Sequence, residues 1–271
     1  MFGALLGTIE QWKTDYPSFT AVTSIGILTL LLVLAGIFTA SMRPGERGPV
    51  ATIFILMTFN AVFWLAFEQA GSSVAFFCDE HVDRRIPLLN YVLPTASIHS
   101  INPAFILLFG PVMSWIWTAL GRRGRNPSQG LKVALALALL GIGFGVLVLV
   151  APRTAADGKA ALFWIALMTW FHTIGELCLS PTGLSFVTKT APIRFLSLLM
   201  GIWFVSNFVA NLVGGLVAAR VKDIEDGKLQ LPWELGEGQA DFFMLFVVSS
   251  FGAALLALAL TPLLKRLNPK A

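Results

Sequence analysis

The chain has 271 residues, of which 56% are hydrophobic and 13% are charged, and its mean hydropathy is +0.77. Ordinary soluble domains are roughly 45–50% apolar and about 25% charged, so this composition excludes a soluble globular protein. It also excludes a disordered chain, because disordered segments combine low hydrophobicity with high net charge. The net charge of +4 does not indicate a nucleic-acid partner, since the basic residues lie in short loops between apolar runs and not on one clustered face.

Seven apolar runs are long enough to cross a lipid bilayer as helices, which takes about 20 residues each. They extend from Phe19 to Ser41, Val50 to Phe77, Ile98 to Leu120, Leu131 to Ala151, Ala160 to Thr188, Phe195 to Ala219 and Phe242 to Leu264. Lipid offers no hydrogen-bond partner to the backbone, so each run is expected to satisfy its own backbone groups as a helix. The sequence therefore predicts an all-α membrane protein with seven transmembrane helices.

Basic residues are unevenly distributed between the loops on the two sides of these helices. The stretches 42–49, 121–132, 189–194 and 265–271 hold 11 of the 19 Lys and Arg residues and one acid, Glu46. Because cytoplasmic loops are enriched in Lys and Arg, we expect these stretches in the cytoplasm, the N-terminus outside and the C-terminus inside. Residues 1–18 lack the basic start of a signal peptide, which predicts an uncleaved first span in a multi-pass protein of the cell inner (cytoplasmic) membrane.

Two carboxylates lie deep within apolar runs, Glu68 in the second and Glu176 in the fifth. A charge there costs about 2.5 kcal/mol or more on insertion scales, so such residues usually mark a path for substrate, ions or protons. The alternative is a protonated acid that hydrogen-bonds a neighbouring helix. With the first run set aside as an accessory helix, the two acids occupy the first helix of each group of three. Transporters built from three-helix repeats place equivalent helices around a midplane site, so the pair predicts one shared cavity.

The sequence next to each acid is also typical of a cavity lining. Trp64 lies one helical turn before Glu68, so both side chains share a face. Pro181 removes a backbone hydrogen bond one turn after Glu176, which predicts a kink that can act as a hinge. Small and polar residues follow both acids, although such residues also serve static helix packing.

Other polar and amphipathic groups lie at membrane depth, namely Asn102 in the third run and Trp203 and Asn207 in the sixth. An intramembrane Asn also hydrogen-bonds between helices, and a Trp also packs, so their structural roles stay open. His172 lies four residues before Glu176 and suits either a proton relay or a structural hydrogen bond. Two such residues do not make a metal site, and hydrolase, zinc-protease and phosphate-loop motifs are absent, so no metal, cofactor or enzyme activity is expected.

Four segments together carry a recognisable pattern. They read FWLAFEQAGSS at 63–73, SINP at 100–103, GELCLSPTGLS at 175–185 and MGIWF at 200–204. In order and spacing they resemble the proton-dependent oligopeptide transporter family of the major facilitator superfamily. The resemblance implies that residues 50–271 form the C-terminal six-helix bundle, helices 7 to 12, and that residues 1–49 are an N-terminal extension with one accessory helix and a linker.

The resemblance also implies roles for individual residues. Glu68 resembles the helix-7 acid that exchanges between protonation and an ion pair with helix 1. Glu176 resembles the helix-10 acid that receives the amino terminus of the peptide. The other implied members of the peptide pocket are Asn102, Trp64, Trp203, Phe204 and Asn207, the last of which stands where the family often has Ser.

The family's E-x-x-E-R motif belongs to the N-terminal bundle and does not occur in this chain. We therefore expect the C-terminal half of a symporter for protons and di- or tripeptides, with a missing or separately encoded N-terminal six-helix bundle as its partner. Two other functions stay open: a non-transporting membrane subunit that assembles through small-residue helix faces, and a carrier of another small solute such as nitrate. Glu176 disfavours an anion nearby, because like charges repel strongly in a low dielectric.

Overall fold

The structure, a computed structural model, describes residues 17–86, 90–226, 228–229, 231–233, 235 and 239–268. The α-helices in this part of the chain are α1 (Pro17–Ser41), α2 (Pro44–Phe67), α3 (Ser73–His81), α4 (Ile101–Arg122), α5 (Gln129–Asp157), α6 (Leu162–Thr190), α7 (Leu196–Ala218), α8 (Val221–Glu225) and α9 (Ala240–Leu267). Turns of 3-10 helix occupy Glu68–Gly71, Thr95–Ser100 and Ile193–Phe195. The helices thus account for all seven predicted runs.

Six helical segments of the described residues are long and apolar enough to cross a membrane. They are Pro44–His81, Thr95–Arg122, Gln129–Pro152, Leu162–Thr190, Ile193–Glu225 and Ala240–Leu267. These segments coincide with the last six predicted spans, and the first predicted span coincides with α1. The all-α membrane fold predicted from the sequence is confirmed.

Close packing places α5 between α6 and α9. Glycines permit this approach on both sides. A Cβ atom at Gly141 would lie 3.0 Å from a phenyl ring of α9, and one at Gly175 would lie 2.9 Å from the carbonyl oxygen of Ala136. Phe144 of α5 stacks on Phe246 of α9 with 4.8 Å between the ring centroids. Small residues that let backbones approach are the usual basis of helix association in membranes, where lipid removes the hydrophobic driving force.

The second predicted span is interrupted, which the sequence analysis did not foresee. Between α2 and α3 the chain forms the 3-10 turn Glu68–Gly71. The Gln69 side chain holds this turn, because its Nε2 donates to the carbonyl oxygens of Leu65 at 3.2 Å and Gly214 at 3.1 Å. Its Oε1 accepts from the Ser73 hydroxyl at 2.7 Å. A helix break at membrane depth is tolerated where neighbouring groups satisfy the backbone in this way.

Glu46 ties the start of α2 to the connection between α6 and α7. Its carboxylate accepts a hydrogen bond from the backbone N–H of Arg43 at 3.3 Å and forms a salt bridge with Arg194. Pro44 begins the helix, where its missing N–H costs nothing. The acid that stands alone among the basic loops therefore has a structural partner.

Short strands lie in the connections outside the spans. The strand β1 (Val82–Asp83) pairs in parallel with β4 (Ala160–Ala161), and β2 (Arg85–Ile86) pairs antiparallel with β3 (Tyr91–Val92). The sequence analysis did not predict them, because strands of two residues have no detectable alternation. They leave the helical class of the fold unchanged.

Candidate functional site

A cavity of about 130 Å³ opens beside the 3-10 turn that follows α2. Its polar lining comes from the turn (Glu68), from the 3-10 turn before α4 (His99), from the start of α4 (Asn102) and from α6 (Thr169 and His172). Its apolar lining comes from Phe67, Ala70, Val74, Ile98 and Met168. Glu68 is exposed, as expected of an acid that faces an open cavity.

Asn102 connects Glu176 to this cavity. Its Nδ2 donates to Glu176 Oε2 at 3.2 Å, and its Oδ1 lies 2.7 Å from the hydroxyl of Thr173. Thr173 is fully buried, whereas Glu176 is half-buried. The two contacts fix the orientation of the amide, so that Asn102 joins α4 to α6 and turns its N–H donors toward the carboxylate.

Of the two acids predicted to share one cavity, only Glu68 is among the described lining residues, and Glu176 is joined to the cavity through Asn102. Asn102 itself lines the cavity and hydrogen-bonds Glu176. Carboxylate oxygens accept hydrogen bonds and cannot donate them when ionised. Such a set of acceptors suits a cationic donor such as an ammonium group.

Trp64 stands behind the lining. It is half-buried, and its ring contacts those of Phe63 and Phe67 edge-on, with centroids 5.9 and 5.1 Å away. Because Phe67 lines the cavity, Trp64 buttresses one wall of it. Aromatic pairs of this geometry favour a fixed arrangement of the rings.

Among the described residues that line the cavity, none comes from α7. Trp203 is buried against α6, where a Cβ at Gly183 would lie 2.7 Å from its ring. Asn207 Oδ1 accepts a hydrogen bond from Asn60 Nδ2 at 2.7 Å, which joins α7 to α2. Phe204 is 55% exposed. The three α7 residues singled out from the sequence therefore lie apart from this cavity.

His172 packs in the interior. It is 3% exposed, hydrogen-bonds to the backbone of Leu140 and lies against Phe144, with ring centroids 4.8 Å apart. Within the described ranges, no three His, Cys, Asp or Glu residues cluster so as to hold a metal ion. These contacts support the structural role, whereas the Nε2 atom is buried without a hydrogen-bond partner among the described residues, and the proton relay stays a prediction.

Helix α6 continues through Pro181, which is exposed. The hinge expected there stays a prediction. Two other polar residues of the site were not singled out from the sequence. Thr173 precedes Glu176 by three residues, a spacing that places both on one helix face. Gln69 is the immediate neighbour of Glu68, and its polarity at membrane depth was the available signal.

The sequence profile of the POT family matches residues 6–233. The chain belongs to the POT family. This confirms the resemblance carried by the four motifs.

Named relatives of this POT-family chain are transporters, as the sequence predicted, and not enzymes. Peptide transporter YePEPT of Yersinia enterocolitica is 35% identical over 185 residues, which cover 68% of this chain and 36% of the relative. Dipeptide and tripeptide permease A of Citrobacter koseri is 27% identical over 280 residues, which cover 98% of this chain and 54% of the permease. The chain thus spans between about a third and about half of the length of these relatives.

A solved structure shares the fold. The crystal structure of peptide transporter POT in complex with sulfate matches with a TM-score of 0.77 at 26% identity, over 98% of this chain and 52% of that one. A POT family transporter in complex with 5-aminolevulinic acid matches with a TM-score of 0.74 at 27% identity, over 97% of this chain and 54% of that one. Together with the six candidate spans, this makes the POT-family chain a multi-pass membrane protein.

Proposed function

We propose that the chain is the C-terminal half of a proton-coupled symporter for di- and tripeptides, which works by alternating access with an N-terminal six-helix bundle. The observation that carries this proposal is the hydrogen bond from Asn102 to Glu176 beside the cavity that Glu68 lines. Residues 1–49 are the extension with an accessory helix, and residues 50–271 are helices 7 to 12. The names of the two relatives, a peptide transporter and a dipeptide and tripeptide permease, support peptides as the substrate.

Glu176 receives the ammonium group of the peptide. Its Oε2 accepts from Asn102, which orients the carboxylate and adds a dipole that stabilises its charge. A charged hydrogen bond between ammonium and carboxylate is roughly twice as strong as a neutral one. The remaining pocket residues in this proposal are Trp64, Trp203, Phe204 and Asn207, which meet the peptide from the α2 and α7 sides once the N-terminal bundle closes over the site.

Glu68 couples the proton to the movement of the bundles. None of the ion pairs formed by the described residues includes Glu68. A basic residue of the N-terminal bundle would neutralise it in one state, and protonation would release that pair in the other. A proton that binds one state better shifts the equilibrium between inward-open and outward-open forms. Pro181 is the hinge in this scheme.

The faces of α4 and α7 receive the N-terminal bundle. No residue of α4 is buried within the described structure. Leu107 on α4 is 80% exposed, and Phe208 on α7 is 67% exposed. In a bilayer such apolar faces contact either lipid or further helices. We place the N-terminus outside and the C-terminus in the cytoplasm, in agreement with the distribution of Lys and Arg.

The test is uptake of a labelled dipeptide by proteoliposomes that contain this chain and an N-terminal bundle, with the outside made acidic. We expect accumulation that collapses with the proton gradient. Glu176→Gln should raise the KM at least tenfold, because hydrogen bonds to charged groups contribute about 1.5–3 kcal/mol. Glu80→Gln is the matched control, since Glu80 lies at the end of α3 beside His81. An unchanged KM in Glu176→Gln would remove the assigned ammonium site.

The other two functions predict different outcomes in this assay. A non-transporting subunit would give no uptake and no peptide-dependent stabilisation with any partner. A nitrate carrier would bind nitrate more tightly once Glu176 is neutralised, because the like charge is removed. The Nδ2 group of Asn102 donates a hydrogen bond to Glu176 and so stabilises its ionised form. An ionised carboxylate favours a cationic ligand over nitrate.

A further inference from the structure

A second cavity, of about 450 Å³, lies between the start of α5, the second half of α6 and the last turn of α9. Its lining includes three lysines, Lys132 of α5, Lys189 of α6 and Lys265 of α9, and no Asp or Glu is among its described lining residues. We call this the basic cavity. It is distinct from the cavity that Glu68 lines, because the two cavities share no lining residue.

Lys132 is the most unusual of the three. It is only 7% exposed, and its ammonium nitrogen lies 4.9 Å from the centroid of the Trp117 ring. None of the ion pairs in the described part of the chain includes a lysine of the basic cavity. A cation–π contact offsets part of the cost of burying an ammonium group, whereas a buried charge is normally paired with an opposite charge. The described residues therefore supply no opposite charge to the lysines of the basic cavity, and a bound anion would supply it.

The start of α5 adds further attraction for an anion. Ser128 caps this helix of 29 residues, and its Oγ accepts from the backbone N–H of Leu131 at 3.4 Å. Free N–H groups and the helix dipole at an N-terminus favour a negative group. The hydroxyl of Ser185 also lines the cavity and can donate. Three ammonium groups, a helix N-terminus and a hydroxyl match the several acceptor oxygens of a phosphate.

The position of the cavity favours a phosphate that is attached to a lipid. Lys189 lies in the last turn of α6 and Lys265 in the last turn of α9, at the ends of spans where headgroups lie. Leu131 and Leu263, beside the cavity along the chain, are 44% and 43% exposed and would meet acyl chains. Basic pockets between transmembrane helices at the cytoplasmic side are suited to anionic headgroups, and this is the predicted cytoplasmic end.

We propose that the basic cavity is a binding site for a phosphate group, supplied by the headgroup of an anionic phospholipid. The bound phosphate would join α5, α6 and α9 through Lys132, Lys189 and Lys265. Helix α6 also carries Glu176. The bound lipid would therefore anchor this helix at the end opposite to the candidate peptide site.

The test uses the 271-residue chain in nanodiscs of phosphatidylcholine with or without phosphatidylglycerol. Native mass spectrometry after release from the nanodisc counts the lipids that stay bound. We expect retention of phosphatidylglycerol over phosphatidylcholine. Lys132→Met should weaken that preference on the order of fivefold, since a basic residue near the membrane surface contributes about 1 kcal/mol. Lys189→Gln, at an exposed position, should act in the same direction without affecting the fold.

Lys222→Gln is the matched control. It removes the same charge, but Lys222 lies at the other end of the bundle over the ring of Phe76, so phosphatidylglycerol retention should not change. A soluble source is tested by adding inorganic phosphate to phosphatidylcholine nanodiscs. Stabilisation of the wild type but not of Lys132→Met, with no preference for phosphatidylglycerol, would overturn the lipid as the source. Equal retention in wild type, Lys132→Met and Lys189→Gln, or an equal loss in Lys222→Gln, would overturn the site.

Discussion

A side chain at Gly143 on α5 is expected to destabilise the packing of α5 on α6, because the ring of His172 occupies the space that a Cβ would need. A Cβ at Gly143 would overlap the His172 ring and lie 3.1 Å from the carbonyl oxygen of Met168. The ring has little freedom to move aside, since His172 is 3% exposed and lies between Phe67 and Phe144. The contact fixes the depth at which α6 packs on α5.

Two opposing contributions determine how much Gly143→Ala changes the free energy of unfolding. Overpacking by one methyl group in a packed interior costs about 1–3 kcal/mol. Replacing Gly by Ala within a helix returns about 0.5–1 kcal/mol. Gly143→Ala should therefore lower the free energy of unfolding by up to about 2.5 kcal/mol, and by about 1–3 kcal/mol relative to a Gly→Ala change without the steric overlap. Gly145→Ala is the matched control two residues along α5, where a Cβ would have nothing within 4 Å. It should only raise the free energy of unfolding, by about 0.5–1 kcal/mol.

Reversible unfolding in mixed micelles, titrated with a denaturing detergent and followed by circular dichroism, measures both variants. The double variant Gly143→Ala/His172→Ala should lose less stability than the sum of the single variants, because removing the ring removes the overlap. Equal stability of Gly143→Ala and Gly145→Ala would refute the steric reasoning. So would additivity in the double variant.

Two further substitutions test polar contacts. Gln69→Leu removes the hydrogen bond to the carbonyl oxygen of Gly214 on α7 and leaves the Ser73 hydroxyl without its acceptor. It should lower the free energy of unfolding by about 1–3 kcal/mol in the same titration. An unchanged free energy of unfolding would show that other contacts hold the turn. Asn102→Ala removes the donor to Glu176 and should raise the KM for dipeptide uptake about tenfold. Loss of stability with an unaltered KM would make Asn102 purely structural.

The positions of the spans could be predicted because a bilayer requires long apolar runs whatever the rest of the fold does. The sixth run was expected from Phe195 to Ala219 and is α7, Leu196–Ala218. The break after α2 could not be predicted in the same way. It depends on a contact between Gln69 and Gly214, which are 145 residues apart in sequence.

In the candidate site, too, the sequence could identify some residues but not the contacts that they make. Glu68 and Glu176 could be singled out because an acid in an apolar run is costly wherever it faces. For Asn102 the sequence left two roles open, and the structure supplies the neighbour, Glu176, that joins it to the site. Trp203 and Asn207 share a helix face one turn apart, yet their partners on α6 and α2 depend on how three helices pack. The periodicity of a sequence predicts which residues share a helix face, but it does not predict which helix packs against that face.

Helix α6 makes different close contacts before and after Pro181, and these contacts decide which parts would move if the predicted hinge bends. Before Pro181, α6 is held to α5 by the His172 ring against Gly143 and to α4 by the hydrogen bonds of Asn102. After Pro181, Gly183 packs on Trp203 of α7. Proline removes the backbone hydrogen bond that would stiffen the helix between these two sets of contacts. A bend there would therefore move Gly183 and the residues after it relative to Glu176, which is held to α4 by Asn102, and would carry the contact with Trp203 of α7 and one side of the basic cavity with it.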